Sequence, residues 1–133
     1  MRLRMLVLAA ALAAPALAEA RPPLRDVAEI DQGLLAVGIA DAIRKECDEI
    51  APRMFRALSY IGQLERRART LGYTEDEIDD YVNSKAEKAR MRRLGKAYVS
   101  QQGARLSDPA SMCALGRREI ARGSPIGALL KEK

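Results

Sequence analysis

Cys47 and Cys113 are the only two cysteines in this chain of 133 residues. A bond between them would clamp the last major helix onto the first, with everything between folded inside one closed loop. Two cysteines permit one intramolecular pairing, and on the chain-entropy model a loop this long stabilises the native state by about 4 kcal/mol. The alternative is a pair of unbridged, packed thiols. The compartment decides between them, and the amino terminus bears on the compartment.

Arg2 and Arg4 make a short positive region, Leu6 to Ala14 is almost continuously apolar, and Ala16-Leu17-Ala18 and Ala18-Glu19-Ala20 both fit a small-residue cleavage site. This layout predicts a secretory signal peptide over residues 1–20, its apolar run being too short to span a membrane. No cysteine lies near the cleavage region to carry a lipid. Export to the periplasm or beyond places the cysteines in an oxidising environment, where a Cys47–Cys113 disulfide is the expected state.

Residues 21–133 are one domain's worth of chain, enough for a modest core. Setting aside Arg2, Arg4 and Glu19 from the 23 basic and 18 acidic residues leaves a net charge of +4. That balance is mild and well mixed, which argues against a nucleic-acid partner, as export does independently. No transmembrane segment is expected in the mature chain.

After Arg21-Pro22-Pro23, Asp26 reads as an N-cap with Glu29 completing a capping box. Val27, Ile30, Leu34, Val37, Ala40, Ile43, Cys47 and Ile50 then recur at three- and four-residue steps, predicting one apolar helix face to about residue 50. Leu35 and Ile39 widen that stripe, so this helix is expected at the centre, ended by Pro52.

A second helix is predicted over 53–71, with Phe55, Leu58, Ile61, Leu64, Ala68 and Leu71 as its buried stripe and Gly72 as a left-handed stop. Thr74 and Glu77 form a clear capping box, with Tyr73 and Ile78 at the positions of a hydrophobic staple. Ser84 and Glu87 offer a second box, which divides this region into helices over 75–82 and 84–102. The longer one takes Ala86, Ala89, Met91, Leu94, Ala97, Tyr98 and Val99 as its apolar side. Asp108 and Pro109 start a fifth helix to about Arg122, Gly123 stops it, and a short terminal helix carries Ile126, Leu129 and Leu130. With no sustained period-two alternation, the expected fold is all-α: an irregular bundle of about five helices with one disulfide, in a single domain over 21–133.

The chain has no histidine, which removes the commonest general base, every Ser-His-Asp or Cys-His arrangement, and imidazole metal ligands. Two cysteines so far apart make neither a CxxC redox pair nor a cysteine-rich zinc site, and no glycine-rich phosphate loop is present. No catalytic, cofactor-binding or metal residues are therefore assigned, and Cys47 and Cys113 are the only site residues named. The acidic run Glu75, Asp76, Glu77, Asp79 and Asp80 lacks the glycine of a calcium loop and suits the positive end of a helix dipole. The arginines and lysines of 53–69 and 85–96 admit two accounts: a basic surface for anionic lipid, cell-wall polymer or an acidic partner, or solvated faces paired with those acids. Gly38, Gly62, Gly95 and Gly116 sit inside helices, at close crossings or beside a groove. Five aromatics are too few and scattered for a base-stacking platform.

Leu24-Arg25-Asp26-Val27 with Glu29-Ile30-Asp31, Leu71-Gly72-Tyr73-Thr74, and above all Cys113-Ala114-Leu115-Gly116-Arg117 followed by Glu119-Ile120-Ala121-Arg122-Gly123-Ser124 and Ile126-Gly127 resemble a family of small exported alphaproteobacterial proteins. That family is the domain of unknown function numbered 5333. The resemblance spans essentially the whole mature chain, and it implies an envelope location without supplying catalytic residues. The expected function is a non-enzymatic binding or structural role in the periplasm, towards an unidentified envelope protein. A carrier for a small apolar or anionic ligand and a holdase-type chaperone are the alternatives.

Overall fold

The computed structural model describes residues 21–133; the expected signal peptide over 1–20 lies outside the described residues. Five helices account for most of this length: α1 (Ala28–Glu46), α2 (Met54–Thr70), α3 (Glu75–Asn83), α4 (Lys85–Gln101) and α5 (Pro109–Arg122). Two three-residue strands, β1 (Ile50–Pro52) and β2 (Leu130–Glu132), pair antiparallel with Ala51 opposite Lys131. The all-α bundle of about five helices is the fold, with this small sheet added to it.

Helix α1 is the axis. Its C-terminal two thirds supply Ala36, Ile39, Ala40 and Ile43 to the larger core, against Val99 of α4, Met112 and Leu115 of α5, and Ile126, Leu129 and Leu130 from the C-terminal segment. Its start supplies Ile30 to a smaller core with Leu24, Leu64, Ala68, Tyr73 and Ile78. Burying these side chains is the main favourable term available to a chain of this size.

Capping chemistry sets several boundaries as expected. The Thr74 hydroxyl accepts from the Glu77 amide while the Glu77 carboxylate accepts from the Thr74 amide, completing the box. Asp108 caps α5 with Pro109 in its first turn, and Gly123 ends it in the left-handed region at φ 62°. Gly72 does the same after α2 at φ 98°.

Several expectations are corrected. Asp26 belongs to a single 3-10 turn, Leu24–Asp26; α1 is capped by Val27 with no side-chain bond. Glu29 turns outward to Arg67 instead of back to the cap. Ser84 does cap α4, but the Glu87 carboxylate is taken by Arg25 and Arg90, so that box is half made. Helix α1 stops at Glu46, and Ile50 is strand, not the last residue of a helical stripe. The terminal helix is one 3-10 turn, Gly127–Leu129, leading into β2. Both strands are too short for an alternation to show, and they join residues far apart in the chain, so no local pattern announces them.

The disulfide joins Cys47, just past the end of α1, to Cys113 in α5, with Cα atoms 5.2 Å apart. One turn on, α5 lies so close to α1 that a Cβ on Gly116 would fall 2.8 Å from Ile43 Cγ2 and closer still to Ile50. Gly33 makes the matching close approach to α2, where a Cβ would meet Leu64 Cδ2 at 2.7 Å. Of the four glycines singled out in the sequence, Gly116 alone sits at such a crossing. Gly38 has nothing within 4 Å, and Gly62 and Gly95 meet only side-chain atoms beyond 3 Å.

Two outcomes are expected for urea unfolding of the oxidised protein. Cys113→Ser should lower stability by about 4 kcal/mol through the lost loop constraint. Gly116→Ala should cost about 2 kcal/mol by overpacking, although alanine is the better helix former.

Candidate functional site

Three polar clusters lie inside or along the bundle, and each is chemically closed. Glu119 in α5 is wholly buried, at 0% exposure. Its carboxylate accepts from the Tyr98 hydroxyl at 2.5 Å, from Arg122 Nη2 at 2.6 Å and from the Ser124 hydroxyl, while the Gly127 amide donates to that same Ser124 oxygen at 3.0 Å. Burial pushes the Glu119 carboxyl up, but Arg122, Ser124 and Tyr98 outweigh it and hold the group below the usual carboxylate range. Burial and the same Glu119 charge push the Tyr98 phenol up.

The second cluster ties α1 to α3 and α4. Arg90 grips Asp31 with both terminal nitrogens, Tyr81 donates to Asp31 at 2.5 Å, and Arg90 and Arg25 both reach Glu87. Here too burial raises the Asp31 carboxyl, and the Arg90 and Tyr81 contacts bring it down below its ordinary value. The third cluster is the cystine itself. Cys47, Cys113 and Glu49 bring three potential donor atoms within 4.8 Å of one another, but as a disulfide the two sulfurs carry no thiolate charge to offer a metal. No buried side-chain nitrogen or oxygen among the described residues lacks a hydrogen-bond partner. These clusters hold helices together, and the carboxylates of Glu119 and Asp31 are taken up by partners within the bundle.

The acidic run divides by partner. Glu77 is spent on its cap and on Arg21, and Glu75 pairs with Arg69. The basic residues divide too: Arg67, Arg69 and Arg90 are in ion pairs, whereas Arg53 and Arg56 direct their guanidinium groups at the carbonyls of Leu130 and Ala128. The charge of these two has no carboxylate partner among the described residues.

The open surface on the two sides of α1 is largely apolar. The expected buried stripe of α2 is wrong in its first two turns: Phe55 is 91% exposed and Leu58 59%, and the neighbouring Met54 is 53% exposed. There α2 meets the core along Ala57 and Tyr60 instead, which pack in the same cluster as Leu129 and Leu130, while Leu64, Ala68 and Leu71 further along are packed as expected. Beside Met54 and Leu58 runs a groove of about 290 Å³ between α1 and α2, floored by Val37, Ala40, Ile61 and Leu129. On the other side of α1, a cleft of about 530 Å³ opens against α4, lined by Leu35, Ile39 and Ala42 facing Met91, Gly95 and Val99. The groove account of the interior glycines holds for Gly38 and Gly95, which border this cleft from opposite helices. Leu94, expected on the apolar side of α4, is exposed, as are Ala86 and Ala97.

Residues 22–131 match the model of a family of unknown function, DUF5333. The chain belongs to that family. No curated protein and no solved structure is similar enough to match it. In this DUF5333 chain the C-terminal motif has a structural explanation. Cys113 is bridged, Gly116 sits at the helix crossing, and Glu119, Arg122, Ser124 and Gly127 form one polar node around the buried Glu119 carboxylate. Sequence reasoning passed over Glu119, although it falls three residues after Gly116 on the apolar stripe of α5; an acid on such a stripe signals a buried, paired group.

Because its folded pKa is depressed, Glu119 contributes stability that is present above its unfolded value and lost as pH falls through the folded one. Glu119→Gln should lower stability by about 1.5–3 kcal/mol near neutral pH and flatten the decline below about pH 4, read from urea midpoints between pH 2.5 and 7.

Proposed function

We propose that this chain is an exported, non-enzymatic binding protein of the bacterial envelope that docks an acidic protein partner on the start of α2. The exposed cluster Met54, Phe55 and Leu58 carries the proposal. A phenylalanine 91% exposed on a helix, beside two other large apolar side chains and an apolar groove, costs solubility and contributes nothing to the core.

The rim supports a partner rather than a second copy. Arg53 and Arg56 flank the cluster without carboxylate partners among the described residues, and α2 carries Arg66 as well. Two copies of α2 face to face would oppose like charges, whereas an apolar anchor followed by acidic residues would fill the groove and neutralise the rim. The leader-like residues 1–20 and the cystine support export, since disulfides persist in oxidising compartments. No helix of the described residues is long and apolar enough to cross a membrane. The absence of histidine and the closed state of the polar clusters favour binding over catalysis.

A photo-crosslinking side chain at position 55, in protein exported by its native host, should yield a discrete adduct. The same group at exposed Thr70 should not, and Arg53→Glu with Arg56→Glu should abolish the product. Phe55→Ser should leave the melting temperature within about 2 °C, as expected of an exposed site. A smear of many adducts would instead indicate a holdase, and no adduct at 55 would overturn the docking face.

A further inference from the structure

The cleft between α1 and α4 lies across α1 from the docking face and has a different chemistry. We infer that it binds a single-chain anionic amphiphile, with the tail lying between Leu35, Ile39, Met91 and Val99 and the head at Lys96 and Arg105. The cleft of about 530 Å³ is adjoined by a hollow of about 330 Å³, the two sharing Lys96, Val99 and Leu106. Volumes of this size are those of small-molecule sites.

The charge distribution selects the ligand. Arg92 and Lys96 border the cleft and Arg105 the adjoining hollow, where Ser100 and Ser107 add hydroxyls; none of the three cations is in an ion pair among the described residues. The remaining charged lining groups are Asp41 and Lys45, which pair with each other, and Glu46. Three unpaired cations against one unpaired acid favour an anionic head over a neutral or cationic one.

The two glycines make the space. Neither Gly38 nor Gly95 is required by backbone conformation or by a close crossing: a Cβ at Gly38 would meet nothing within 4 Å, and at Gly95 only Ile39 and Leu35 at ordinary van der Waals distances. Each nevertheless weakens its helix relative to alanine. Side chains there would stand in the cleft, so the helices give up stability at the two positions where doing so keeps it open. A carboxylate head from a free fatty acid and a phosphate head from a phospholipid fragment satisfy the same cations.

The test is isothermal titration of the mature, oxidised protein with dodecanoate and with dodecyl phosphate, each below its micellar concentration. Inorganic phosphate, dodecanol and dodecylammonium serve as controls. At least one amphiphilic anion should bind saturably, about tenfold or more tighter than dodecylammonium, and inorganic phosphate should not bind measurably. Gly95→Leu should weaken the anion about tenfold or more, with the helical circular dichroism kept. Lys96→Glu with Arg105→Glu should weaken the anion similarly while changing dodecanol affinity less than about twofold. Gly38→Ala with Gly95→Ala provides a check that misfolding cannot imitate: the melting temperature should rise by a few degrees while affinity falls. Phe55→Ser should leave binding intact, separating this site from the docking face. The inference is overturned if neither anion saturates, if dodecylammonium binds equally well, or if Gly95→Leu binds like the parent. Preference for dodecanoate marks a free fatty acid as the source, and preference for dodecyl phosphate a phospholipid fragment.

Discussion

The fold depends on how closely α5 lies against α1. Cys113 is bonded to Cys47, and one turn later Gly116 brings the α5 backbone against Ile43 and Ile50. One further turn places Glu119 inside the protein, where it takes hydrogen bonds from Tyr98 on α4 and from Arg122 and Ser124 around its own C-terminus. A covalent bond, a steric requirement and a buried ion therefore sit along a single helix face. The start of α5 therefore lies at the end of α1, and the segment that follows α5 returns to the same place, where β2 pairs with β1. Closing so long a loop is entropically costly for an unbridged chain, and the disulfide removes much of that cost from the unfolded state.

With the buried polar groups engaged, two apolar openings remain at the two sides of α1. Gly38 and Asp41 border both the groove towards α2 and the cleft towards α4. On one side a shallow apolar groove is bordered by Met54 and Leu58, with Phe55 exposed on the same helix; on the other a larger apolar cleft has cations at its rim. An exposed apolar face suits a macromolecular partner, and a larger cleft suits a small amphiphile.

Local signals were legible where a few consecutive residues contain the whole interaction. Thr74 with Glu77, Asp108 with Pro109, and the left-handed Gly72 and Gly123 each act within one turn of helix, and each is found in its expected role. Asp26 failed because the same residue type also suits a 3-10 turn, and Pro23 upstream starts one. Phe55 and Leu58 failed because α2 carries two apolar stripes at helical spacing. Periodicity shows that a stripe exists, but the neighbours decide which stripe is buried, and here Leu129 and Leu130 share a cluster with Ala57 and Tyr60. The cleft was half legible: Gly38 and Gly95 could be singled out as unusual, but a glycine at a crossing and a glycine beside a cavity read alike until the facing side chains are known.

The sequence by itself determined the helical content, most helix ends, and the single pairing open to its two cysteines, because each rests on backbone propensity, capping or simple counting. Only the tertiary structure decided which apolar residues remain outside, which glycines are crowded and which stand in open space, and that Glu119 is a buried clasp. These are properties of surfaces meeting across long stretches of chain, and a side chain's neighbours there are set by the packing of every other helix rather than by its own sequence context.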